Sequence, residues 1–138
     1  LTVSKVGRMD EGLGAIGERL RAARLAGRPP RRLADVAGER LTDFVNGLLA
    51  QAGVTLADLD LVVPHQASGH ALAFMRRRLR LRAEQVVDIF AERGNQVAAS
   101  LPTALHEAIT SGRLRRGDTA LLIGTGAGVQ MGGLVLRY

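Results

Sequence analysis

The chain has no cysteine, no tryptophan and a single tyrosine. Without cysteine it holds no disulfide, no thiolate zinc site and no cysteine nucleophile of its own. Aromatic residues are only 3%, too few for the stacking surface that single-stranded nucleic acid requires. No apolar run approaches the roughly 20 residues that cross a bilayer. The first eighteen residues carry Lys5, Arg8, Asp10, Glu11 and Glu18, which is not the pattern of a signal peptide. A chain with neither cysteine nor signal is expected in the cytoplasm. It begins at Leu1, so it is processed, trimmed or a piece of something longer.

What is present points to a folded domain. The chain has 138 residues, 46% of them hydrophobic, enough for one domain with a sizeable core. Net charge is +6, carried almost wholly by arginine. Arginine clusters at 28–32, 76–82 and 113–116. Such a surface either meets an anionic partner or is simply a set of solvated helix faces. No nucleic-acid recognition motif accompanies the charge, so nucleic acid is not expected as the partner.

Periodicity gives the coarse organisation. Residues 1–7 read as a strand end, and 11–25 as a helix weakened by Gly12, Gly14 and Gly17. Residues 27–32 read as a linker. Leu33 to Gln51 has apolar residues at helical spacing, with Gly53 placed as a C-terminal cap. Residues 60–63 read as a buried strand ended by Pro64. A second helix is expected over 69–81, a strand over 86–90, and a third helix from about Ala98 to Ser111. Then come a buried strand at 119–123, a glycine-rich turn at 124–128 and a last strand at 130–137. Strands alternating with helices predict a layered α/β sheet, here mixed because the closing pair is antiparallel. The chain divides into a leading segment, 1–32, and a domain, 33–138.

Chemistry-bearing residues sit at the strand-to-helix corners. In α/β sheets, ligands gather outside the carboxyl ends of strands. His65 follows a buried strand directly. It either donates to a developing oxyanion, moves a proton, or is a loop histidine bonded to backbone. Asn95, behind Gly94, stands at the equivalent corner of the next unit. It is either a second donor or a helix-entry residue. Gly124-Thr125-Gly126-Ala127-Gly128 fails the dinucleotide fingerprint, since its last glycine is misplaced and a strand follows. It is a turn that admits a ligand to backbone amides, or a plain hairpin. No His, Asp and Glu set has metal-ligand spacing.

Three segments together resemble one family: Val63-Pro64-His65-Gln66-Ala67-Ser68, then Arg93-Gly94-Asn95-Gln96-Val97-Ala98-Ala99-Ser100 through Leu105, then Gly124 to Gly128 with Gly132-Gly133-Leu134 and the C-terminal Arg137-Tyr138. They are similar to the C-terminal half of β-ketoacyl-acyl-carrier-protein synthase III, a thiolase-fold condensing enzyme. The resemblance covers about 33–138. It implies a fold of two similar halves, with the cysteine nucleophile in the absent N-terminal half and a homodimeric complete enzyme. It implies that His65 and Asn95 hydrogen-bond the thioester carbonyl of malonyl-carrier protein and stabilise the enolate left by decarboxylation. It implies that the Ala127 backbone N–H helps to hold the acyl oxyanion. Acyl-CoA and malonyl-acyl carrier protein are then substrates, with no further cofactor. Arg77 and Arg78 fall on the helix where the acidic carrier protein docks in that family.

Ser68, Gln96, Val97 and Ala127 depart from the usual pattern and suit a divergent member in fatty acid or polyketide-type biosynthesis. Some relatives transfer acyl groups to alcohols or amines; Asn95 favours decarboxylative condensation. A non-catalytic module that binds carrier protein or a partner enzyme is the alternative. As an enzyme half, this chain alone is expected to be inactive and to leave an apolar face bare.

Overall fold

The computed structural model describes residues 2–10, 18, 21–22, 33–126 and 130–138. In chain order the elements are β1 (Thr2–Asp10), α1 (Leu33–Ala52), β2 (Leu61–Pro64), α2 (Gly69–Arg78), α3 (Phe90–Arg93), α4 (Ser100–Thr110), β3 (Thr119–Gly126) and β4 (Gln130–Arg137). Short 3₁₀ turns occupy Leu56–Asp58, Ala83–Gln85 and Val97–Ala99. Of the helix expected over 11–25, Glu18, Arg21 and Ala22 are helical; the rest of that stretch lies outside the described residues.

The sheet has the order β1-β4-β3-β2. β3 and β4 form an antiparallel hairpin, β1 adds antiparallel to β4, and β2 runs parallel to β3. A parallel pair needs a long crossover. Here the crossover from β2 to β3 contains α2, α3 and α4, and so carries both strand-to-helix corners. The expected α/β architecture with a mixed sheet is what forms.

Periodicity explains which face each element buries. On α1, Leu41, Val45, Leu48 and Leu49 are buried along one helical stripe. They pack with Met75 and Leu79, and with Val62, Leu121, Ile123, Met131 and Val135 of the sheet. Residues of opposite parity, Leu61, Val63 and Ala120, face the other way and pack with Ala104 and Ala108 of α4. At Gly133 an added Cβ would lie 2.9 Å from the Leu122 carbonyl oxygen and 3.1 Å from Leu48 Cδ2. Only glycine lets α1 sit that close to the sheet. Among the described residues no helix is long and apolar enough to cross a membrane.

Four local expectations need correction. The strand expected at 86–90 is one parallel bridge, Val62 to Val86, and Phe90 already opens α3. Pro64 has no N–H and the 86–89 segment finds side-chain partners instead, as described below. The second helix ends at Arg78, not residue 81. Arg80 takes φ +55°, and Leu81 N–H bonds the Arg76 carbonyl at 2.9 Å while Arg80 N–H bonds that of Arg77 at 3.2 Å. That is a Schellman closure without glycine. Gly124 to Gly126 belong to β3 rather than to a turn. The first strand extends to Asp10 and lies in the same sheet as the rest.

Candidate active site

β2 ends at Pro64, buried between the two helical layers. His65 N–H still bonds the Ile123 carbonyl at 2.8 Å, so the ladder with β3 holds the histidine backbone in place. The chain then tightens, with Ala67 N–H bonding the His65 carbonyl at 2.9 Å. Ser68 caps α2, its Oγ accepting from Ala71 N–H at 3.1 Å. Serine is a preferred residue at such a cap, so the departure at Ser68 keeps the helix start. His65 is left half-buried at the carboxyl end of β2.

The second corner is built by Gly94. Its φ +63° and ψ −163° fall in a region essentially confined to glycine. The turn delivers Asn95 facing the first loop. Asn95 Nδ2 donates to the Ala67 carbonyl at 3.2 Å, and its Oδ1 accepts from Val97 N–H at 2.8 Å. These partners fix which end of the amide is which: the NH₂ group points at the His65 loop, with one N–H still to give. Ser100 Oγ accepts from Gln96 N–H at 3.0 Å and tethers the turn to α4. Arg93 is paired with Glu107 at 2.6 Å, which ties α3 to α4.

His65 and Asn95 line one cleft of about 800 Å³. Its other walls are Ala67, Val97, Ala98, Leu101, Gly124 to Gly126 and Gln130 to Gly132. Among the described residues none that lines it is an acid, a lysine or an arginine. A neutral, partly apolar cleft strengthens hydrogen bonds to a developing negative charge. A second cavity of about 200 Å³, walled by Leu41, Leu72, Phe74, Met75 and Ile123, shares His65, Ala67, Thr125, Gln130 and Met131 with it.

The two residues singled out as a donor pair are thus brought to one cleft. Ala127 lies outside the described residues. Arg77 and Arg78 are both exposed at the end of α2, but they are not equivalent. Arg78 Nε donates to the Gly38 carbonyl at 3.0 Å and to Thr42 Oγ1 at 3.1 Å. It therefore ties α2 to α1, whereas Arg77 is exposed with no such tie among the described residues. Sequence reasoning missed the fully buried Gln66, whose only signal was its place between a strand end and a helix cap.

The family model for the C-terminal domain of 3-oxoacyl-(acyl-carrier-protein) synthase III matches residues 49–138. Beta-ketoacyl-(acyl-carrier-protein) synthase III of Aquifex aeolicus is 37% identical over 108 residues, covering 78% of this chain and 35% of that protein. The enzyme of the same name from Symbiobacterium thermophilum is 43% identical over 91 residues, covering 66% of this chain and 28% of its own. Among solved structures, the Aquifex aeolicus synthase III has a TM-score of 0.78 at 28% identity, over 99% of this chain and 44% of that one. The Pseudomonas aeruginosa enzyme gives 0.76 at 31% identity, over 99% and 44%. The chain spans about a third of the length of the curated relatives it matches.

Proposed function

The chain belongs to the C-terminal family of 3-oxoacyl-(acyl-carrier-protein) synthase III, and on that premise we propose that it supplies the two hydrogen-bond donors for decarboxylative condensation. The observation that carries this reading is His65 and Asn95 on one neutral cleft, with the Asn95 amide oriented by Ala67 and Val97. A malonyl thioester would seat its carbonyl oxygen between the imidazole N–H and the free Asn95 N–H. Loss of carbon dioxide leaves the bonding electrons on the α-carbon and, by resonance, on that oxygen. Two fixed donors stabilise this oxyanion more than the neutral carbonyl, which lowers the barrier. The α-carbon then attacks an acyl thioester, and the thiolate departs as the new carbon–carbon bond closes.

The chain contains no cysteine, so the acyl-bearing thiol belongs to the part of the enzyme beyond it. That part and an acidic acyl carrier protein are the partners this reading requires, with acyl-CoA as the donor of the acyl group. In the complete enzyme, His65→Ala or Asn95→Ala should slow malonyl decarboxylation by roughly 10²–10³, as expected for losing one oxyanion donor. Acylation of the cysteine should suffer much less. Carbon dioxide release and self-acylation, followed separately with labelled substrates, check this; equal loss in both half-reactions would assign the pair to the fold or to the nucleophile.

A further inference from the structure

Gln66 is among the few fully buried polar residues of those described, and it does not line the cleft. Its Nε2 donates to the Pro64 carbonyl at 2.9 Å and to the Val87 carbonyl at 3.0 Å. Its Oε1 accepts from Ile89 N–H at 3.0 Å. The opposite amide orientation would set an oxygen against two carbonyls and an NH₂ against an N–H, so the arrangement is unique. Val87 N–H reaches the Val62 carbonyl at 2.9 Å, and there the backbone ladder between β2 and this segment stops. Beyond that point Gln66 takes the place of a neighbouring strand, bonding the segment on both of its backbone polarities.

The placement matters because of what flanks it. Gln66 is bracketed by His65 and by Ala67, the residue whose carbonyl accepts from Asn95. The segment it grips, Val87 to Ile89, leads through α3 directly to Gly94 and Asn95. The two corners are therefore cross-tied by two side-chain amides reaching in opposite directions. We propose that Gln66 is the positioning residue of the site, holding the His65 corner and the Asn95 corner at the separation at which both can donate to one oxygen. It touches no reacting atom and acts through its neighbours; the inference rests on the reading of those neighbours as enolate donors.

The isosteric change Gln66→Glu tests this. The carboxylate can still accept from Ile89 N–H but faces the carbonyls of Pro64 and Val87 with nothing to donate. Burial raises a carboxyl's pKa, so mild acid restores one O–H donor. Relative to the unchanged enzyme at each pH, decarboxylation kcat should fall about 10-fold or more near pH 8 and recover in part near pH 6. KM for a small malonyl thioester should stay within about 3-fold, because the cleft lining is intact. Gln66→Leu should show the loss without the pH-dependent recovery. An unchanged kcat in both variants, or a KM effect as large as the kcat effect, overturns the proposal. Amide exchange in the unaltered protein supplies a measurement that needs no variant: Ile89 N–H should be protected as well as Val87 N–H, and fast exchange at Ile89 also overturns it. Absence of decarboxylation by the unaltered complete enzyme would instead sink the proposed function, while the exchange result would still report on the Gln66 tie.

Discussion

Val97 has φ +53° and is 75% exposed on the wall of the cleft. A β-branched residue in the left-handed region is a genuine outlier, and such strain gathers at functional sites because the surrounding structure over-determines it. Here the determining contact is visible: Val97 N–H must reach Asn95 Oδ1, and the chain turns left-handed to let it. The side chain gains little packing in return. Val97→Gly should therefore stabilise the fold by about 0.5–1 kcal/mol, the left-handed cost of about 1–2 kcal/mol less glycine's extra unfolded-state entropy. Urea denaturation checks this, and an unchanged or lower midpoint would mean that Val97 bears no strain.

At the scale of elements, α2 is held by its ends. Ser68 caps its start, and Arg80 closes its finish at φ +55°. Apolar spacing alone carried the expected helix on towards residue 81, because Leu79 continues the stripe of Ala71, Leu72 and Met75. The Schellman closure stops it early and turns Leu81 back against the core through backbone bonds. An arginine at that position accepts a steric cost that glycine would avoid, so Arg80→Gly should raise stability by about 1 kcal/mol. Thermal unfolding of the two proteins measures it; a lower Tm would show that the arginine side chain contributes more than its backbone costs. The 86–89 segment makes the complementary point. Its composition suits a strand, yet the strand it would pair with ends at a proline, and a glutamine side chain and Arg113 take up its backbone groups. Arg113 donates to the Glu84 and Val86 carbonyls at 2.9 and 3.0 Å.

For the whole molecule, charge and apolar surface lead to two expectations. Arg77 stands exposed beyond the apolar stripe of α2, and rim charges of this kind set association rate and salt dependence. Arg77→Glu in the complete enzyme should raise KM for malonyl-carrier protein and flatten its salt dependence, leaving kcat and a small malonyl thioester nearly unaffected. Comparable damage with the small thioester would make Arg77 structural and not a docking residue. Arg78→Glu is the wrong test of docking, because it also removes the tie from α2 to Gly38 and Thr42. The apolar face is narrower than half of a layered fold suggests: among the described residues Val97 is the one large hydrophobic that is exposed. Still, α4 packs on β2 and β3, and Leu134 of β4, directly across from Leu122, is half-buried. The isolated chain should therefore self-associate or bind apolar dye through this side of the sheet. A monodisperse monomer in sedimentation, without dye binding, would show that the face is already sufficiently covered.

Much of this was legible from residues alone, because periodicity is local. The stripe on α1, the buried run before Pro64 and the antiparallel closing pair follow from which side chains avoid water at which spacing. The motifs around His65 and Asn95 mark two equivalent strand-to-helix corners. What no local pattern carries is partnership across the chain. That Arg78 spends its Nε on the Gly38 carbonyl, that Asn95 reaches back to Ala67, and that Gln66 stands in for a missing strand are all contacts between residues far apart in sequence. The Gln66 and Arg78 contacts satisfy backbone groups that are buried or partly so, and which partner is in reach is decided only when β2, the 86–89 segment and the helices have packed.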